Sequence, residues 1–135
     1  MGRDNRNLFS CILLFVLNAE VMRKILIIDE NSVFRLLLAD FLSFQGFNVM
    51  TAESGQDGLD IAQKHHPDMV FCDVDMPGMT GFEILDRIRS DQQTANISFF
   101  FLTAEPKIEK QVWRRANGFL KKPIDFDELN QILVT

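Results

Sequence analysis

The chain alternates short apolar segments with stretches in which apolar residues recur every three or four positions. The apolar segments are Lys24–Ile28, Asn48–Ala52, Met69–Cys72, Ile97–Leu102 and Gly118–Leu120. Short apolar runs with little polar alternation predict strands buried on both faces. Between them the period becomes helical. Val33, Phe34, Leu37, Leu38, Phe41 and Leu42 mark a helix from about Ser32 to Gln45, with Ser32 or Asn31 to cap its start and Gly46 to end it. Further helices are predicted from Ser54 or Gly55 to His65, from Gly81 to Ser90, over a short span near Ile108–Ala116, and from Phe126 to Leu133. Strands alternating with helices build βαβ units and therefore a parallel sheet. Five such strands suit a doubly wound α/β sheet in the order 2-1-3-4-5, with helices on both faces and a switch point between the first and third strands.

This pattern gives meaning to the residues that follow each strand. Asp29 and Glu30 follow the first, Asp73 the third, Thr103 the fourth and Lys122 the fifth. Open α/β sheets bind ligands outside the carboxyl ends of their strands, so these side chains should converge. Three carboxylates within a few Å repel one another unless a proton or a cation compensates them. Oxygen donors alone suit a hard divalent ion, Mg²⁺ first. Such an ion would keep Asp73 ionised as a nucleophile and offset the charge that develops during in-line phosphoryl transfer. Lys122 can bind one phosphoryl oxygen as a point charge, and Thr103 can donate a hydrogen bond to another. Each residue alone could be a cap, a turn former or a strand end. Their arrival at one sheet edge is what points to a site.

Composition narrows the class. The chain has 135 residues, 47% apolar and 24% charged, which fits one globular domain with a real core. A net charge of −5 argues against broad nucleic-acid binding. Cys11 and Cys72 make no disulfide framework, Cys72 reads as a small buried hydrophobe, and a reducing cytoplasm fits. Residues 1–21 stand apart from the domain at 22–135. Arg3 and Arg6 precede a ten-residue apolar stretch, Leu8–Leu17, too short to span a bilayer, with Ala19 as a signal-like cleavage edge. Two readings stand. The stretch is an extra apolar helix packed on the domain or a partner, or Met22 is the physiological start; the second is slightly favoured. His65 and His66 precede Pro67 with no third ligand evident, so they read as a polar helix end.

From about Met22 to Leu133, over four-fifths of its length, the chain resembles the receiver domain of bacterial two-component response regulators, of the single-domain chemotaxis type. The likeness rests on Arg23 to Asn31 around the acidic pair, and on Pro67 to Gly81 around Asp73. It rests also on Phe101-Leu102-Thr103-Ala104 and on Phe119-Leu120-Lys121-Lys122-Pro123. The resemblance implies a flavodoxin-like sheet and a cytoplasmic phosphorelay protein that is not an enzyme beyond its own phosphorylation and dephosphorylation. Asp73 would accept a phosphoryl group from a histidine kinase or a histidine phosphotransfer protein. Asp29, Glu30, Asp73 and the backbone carbonyl of Asp75 would hold Mg²⁺. Thr103 and Lys122 would bind the phosphoryl group, Thr103 and Phe119 would form the switch, and the Lys122–Pro123 bond would be cis. A downstream protein would read the switch, with no direct nucleic-acid contact and no membrane span. The face of the fourth helix, fifth strand and last helix would offer a dimer surface. Glu30 replaces the commoner Asp, and the stretch from Ala104 to Ala116 is about three residues shorter than usual, which makes the output face unusual.

Two competing readings are open. Asp73-Val74-Asp75 imitates the nucleophile motif of haloacid dehalogenase-type phosphatases, but lies mid-chain with no substrate-covering cap and no acidic pair after Lys122. Alternatively, the domain signals by docking without phosphorylation. Asp75 and Glu105 flank the expected site mouth as candidates for tuning dephosphorylation.

Overall fold

The structure is a computed structural model and describes residues 23–104 and 115–134. Its strands are β1 (Lys24–Ile28), β2 (Asn48–Ala52), β3 (Met69–Asp73), β4 (Ser98–Thr103) and β5 (Gly118–Lys121). They form one parallel sheet in the order β2-β1-β3-β4-β5, as expected. The described helices are α1 (Ser32–Phe44), α2 (Gly55–His65), α3 (Gly81–Ser90) and α4 (Phe126–Leu133). The helix expected near Ile108–Ala116 lies outside the described residues except at its end, where Arg115 and Ala116 belong to a turn and bend leading into β5.

Strand side chains alternate between the two faces of the sheet, and each face receives two of the described helices. Leu26, Ile28, Val70, Cys72, Phe99 and Phe101 point to the side of α2 and α3, where they meet Leu59, Ala62, Ile84, Leu85 and Ile88. Ile25, Ile27, Met69, Phe71, Leu102 and Leu120 point the other way, to Leu38 and Leu42 of α1 and Leu129 and Leu133 of α4. Burial on both faces explains why the central strands show no polar alternation.

Local chemistry sets the helix ends. The side chains of Asn31, Ser54 and Thr80 accept backbone N–H bonds from Phe34, Asp57 and Glu83. Asp125 does the same for Asp127 and Glu128. These bonds satisfy donors that a helix start leaves unpaired. Gly46 takes a left-handed φ of 99° after α1, a conformation that a side chain resists. His66 ends α2 with a φ of 48°, which agrees with a helix terminus rather than a metal site.

Two differences from expectation are physical. β3 and β5 each run one residue further, through Asp73 and Lys121, and β4 is shifted by one to end at Thr103. Polar residues here extend the ladder because they pair with strand neighbours, a cause that hydropathy does not record. On α1, Leu38 and Leu42 are buried, whereas Val33 and Leu37 are exposed although they share the helical period. The apolar stripe is wider than the sheet it covers.

Candidate functional site

β1 and β3 are neighbours with Ile28 opposite Cys72, so the next residue of each strand, Asp29 and Asp73, emerges at the same edge. This is the point where the chain order reverses from β1 to β2 on one side and β3 on the other. β5 pairs with β4 so that Lys121 lies opposite Thr103, and Lys122 follows. The Lys122 amide donates to the Thr103 carbonyl at 2.8 Å. The next peptide bond, Lys122–Pro123, is cis.

The Lys122 side chain reaches back across the edge. Its Nζ lies 2.6 Å from Asp29 Oδ2 and 3.6 Å from Asp73 Oδ2. The ammonium also sits 4.3 Å from the centre of the Phe34 ring, a cation–π distance. Asp29 is fully buried, and its other oxygen accepts the Asn31 amide at 2.9 Å. Asp73 is partly open, and its Oδ1 accepts the Asp75 amide at 3.3 Å. Burial pushes the Asp73 carboxyl above its ordinary value of 3.8; the Lys122 ammonium opposes the rise and the Asp29 carboxylate adds to it. Burial likewise pushes the neighbouring Cys72 thiol well up, so Cys72 is an inert core residue as expected.

Thr103 is buried at the end of β4. Phe119, opposite Phe101 in β5, is half-buried against the α2–α3 side of the core. Glu30 and Asp75 are exposed at the site mouth. Among the described residues, no three His, Cys, Asp or Glu side chains stand close enough to share a metal ion. Asp29 and Asp73 are instead joined through the Lys122 ammonium that contacts both. Their donor chemistry, two carboxylates beside the backbone of Asp75, nevertheless fits a hard divalent ion, and Mg²⁺ keeps several waters and needs few protein ligands.

A family model described as "Response regulator receiver domain" matches residues 25–134. The chain belongs to that family. Protein PilH of Pseudomonas aeruginosa is 32% identical over 111 residues, 80% of this chain and 92% of PilH. The structure of Vibrio cholerae chemotaxis protein CheY4 superposes with a TM-score of 0.79 at 34% identity, covering 84% of this chain and 97% of CheY4. The response regulator TrrA of Thermotoga maritima, solved in complex with Mg²⁺ and BeF, superposes at 0.76 with 29% identity, covering 83% and 96%. Other curated relatives are longer. The chain spans 51% of the probable transcriptional regulator ycf29 of Pyropia yezoensis and 12% of the sensor histidine kinase RcsC of Escherichia coli. Among the described residues of this receiver, no helix is long and apolar enough to cross a membrane.

Three residues in the receiver's site escaped the sequence reading. Phe34, which the sequence marks only as part of the apolar stripe of α1, lies beneath the Lys122 ammonium. Arg35 donates from Nη1 to the Asp29 carbonyl at 2.6 Å and ties α1 to the end of β1. A cation in the first turn of a helix opposes the helix dipole, and that cost is a legible sign of a specific partner. Gly81 packs so tightly under the end of β3 that a Cβ there would lie 2.5 Å from the Asp73 carbonyl oxygen.

Proposed function

We propose that this receiver takes a phosphoryl group from a phosphohistidine onto Asp73 and uses it to change the surface offered to a partner. The observation that carries the reading is the Lys122 ammonium held between Asp29 and Asp73, brought there across 93 residues from Asp29. A structural ion pair needs one acid. A second, partly exposed acid whose charged form is disfavoured is what a nucleophile awaiting a cation looks like.

Asp29, Asp73, the Asp75 carbonyl and the exposed carboxylate of Glu30 would hold Mg²⁺. A divalent ion there would compensate the carboxylates and the charge on the phosphoryl oxygens during transfer. An Asp73 carboxylate oxygen attacks phosphorus as the P–N bond to the donor imidazole breaks, and the electron pair leaves with the imidazole nitrogen. Lys122 binds one phosphoryl oxygen, for which its ammonium has only to turn from the carboxylates. Thr103 donates its hydroxyl hydrogen to another. Drawing Thr103 and Lys122 toward Asp73 pulls on the ends of β4 and β5, with Phe119 beside them. A bias of a few kcal/mol suffices to shift a pre-existing two-state equilibrium. The donor is a histidine kinase or a histidine phosphotransfer protein, and the reader is a protein.

Mass spectrometry after acetyl phosphate treatment tests the reading. One phosphoryl group should appear with Mg²⁺ present, fall away with chelator, and be absent from Asp73→Asn. Amide resonances around Thr103 and Phe119 should shift with beryllofluoride and Mg²⁺. Unshifted resonances in a folded, unlabelled protein would instead favour a docking module that works without phosphorylation.

A further inference from the structure

The side of the sheet covered by α1 and α4 carries apolar surface that those helices leave in water. Val33 and Leu37 of α1 are 67% and 66% exposed, and Phe44 is 95% exposed. The three recur at helical spacing and share one side of α1. Beside them runs a cavity of about 210 Å³ between α1 and the start of α4, lined by Phe34, Leu37, Leu38, Pro123, Ile124 and Phe126. Scattered exposed apolar residues are ordinary; a stripe that continues into an apolar cavity marks a surface awaiting a cover.

The chain contains a segment of matching chemistry. Leu8–Leu17 is ten residues with only Ser10 and Cys11 interrupting the large apolar side chains, and five residues separate it from Arg23. The Arg23 guanidinium donates to the Leu133 carbonyl at 2.8 Å, so the chain enters the fold beside the end of α4. That is the lower end of the α1–α4 groove, where Gln45 also bonds Asn130. The 13 residues of α1 measure about 20 Å. Ten residues in helical form measure about 15 Å, and a five-residue connection reaches at most about 18 Å. The segment can therefore lie along the groove without crossing the sheet. Laid along the groove away from Arg23, it would bring Arg3 and Arg6, which outnumber Asp4, toward the edge that bears Asp29, Glu30, Asp73 and Asp75, and the charges would be complementary.

We infer that residues 8–17 dock on the apolar face of α1 and α4 within the same chain. Cys11 supplies the probe. The full-length chain carrying Leu37→Cys is oxidised under dilute, mild conditions and mapped by non-reducing mass spectrometry. Cys72 is buried and stays silent. The expected product is a monomer with Cys11 bridged to position 37. Gln56→Cys, at an exposed position on α2, should give no such bridge. A bridge at 37 no more frequent than at 56, or one found only between two chains, overturns the inference; the second result would make a second copy the cover. In a chain without an added thiol, Leu37→Asp should release the segment and raise the reactivity of Cys11 toward an aromatic disulfide several-fold. Unchanged reactivity also overturns it.

Discussion

Replacing Lys122 by Met keeps most of the side chain's length and removes its charge together with the hydrogen bond to Asp29. In the folded protein, that charge stands 2.6 Å from Asp29 and 3.6 Å from Asp73. At an effective dielectric of about 20 the two attractions are worth roughly 6 and roughly 5 kcal/mol before any desolvation cost is subtracted. The net figure is smaller. Removing one partner of a buried pair commonly costs about 3–5 kcal/mol, because the other charge is left uncompensated. Asp29 is fully buried, but Asp73 and Lys122 open to solvent at the site mouth, which argues for the lower end of that range. The lost cation–π contact with Phe34 adds about 0.5–1 kcal/mol. Lys122→Met should therefore lose about 3 kcal/mol at neutral pH in chelator, close to a 10 °C fall in Tm for a domain of this size.

The pH dependence identifies the cause. Asp73 already titrates above its ordinary 3.8, so between the unfolded and folded values the native state holds more protons than the unfolded chain. Unfolding free energy then falls as pH rises through that window. Lys122 is the group that restrains the rise, and its loss widens the window. The penalty of Lys122→Met should be full above the raised folded value and shrink toward zero below the ordinary carboxylate value. Mg²⁺ should recover stability by mass action if it occupies the vacated charge position. Urea titrations across pH, with and without Mg²⁺, measure all of this. Adding Asp29→Asn to Lys122→Met should restore much of the loss. A penalty under about 1 kcal/mol, or one that ignores both acid and Mg²⁺, would show that the ammonium is not compensating buried carboxylates.

Asp73→Asn should stabilise the fold at neutral pH, because it removes a carboxylate whose ionisation burial disfavours; the gain should disappear below the ordinary carboxylate value, as urea titrations would show. Gly81→Ala would put a methyl group 2.5 Å from the Asp73 carbonyl oxygen and 3.0 Å from Val74 Cα. Backbone must move, so a loss of about 1–3 kcal/mol is expected together with weaker beryllofluoride binding. Phe101→Ala, on the interior strand β4 and buried with edge contacts to Phe82 and Phe99, should cost about 3–5 kcal/mol by denaturant titration.

Nearly the whole order of elements was legible in the sequence, because in a sheet covered on both faces burial and hydropathy coincide. The strand-end chemistry was legible for a related reason. A parallel sheet places the residue after each strand at one edge, so Asp29, Asp73 and Lys122 could be grouped from linear positions alone. What could not be read was which groups touch. Lys122 bonds Asp29 more closely than Asp73, and Phe34 lies beneath it, because the β5–α4 connection approaches the site from the α1 side. The fate of Val33 and Leu37 was equally hidden. Their spacing matches that of buried Leu38 and Leu42, and only the finite width of the sheet divides them.

Charge counting ties the resting geometry to the proposed chemistry. Two carboxylates facing one ammonium leave the site with one uncompensated negative charge, which the partly open position of Asp73 can tolerate with water and the Asp75 amide. A phosphoryl group on Asp73 would replace that carboxylate's charge with about −2 and leave Asp29 as it was. Lys122 could then satisfy the phosphoryl oxygens only by withdrawing from a fully buried Asp29. Leaving Asp29 ionised and alone would cost several kcal/mol, enough to abolish the gain from the new contact. A divalent cation at Asp29 would remove the conflict, since it would compensate the buried acid and leave the ammonium free to turn. In the proposed chemistry, metal dependence would therefore follow from the depth at which Asp29 is buried. Opening Asp29 to water should weaken that dependence even with every proposed phosphoryl ligand in place.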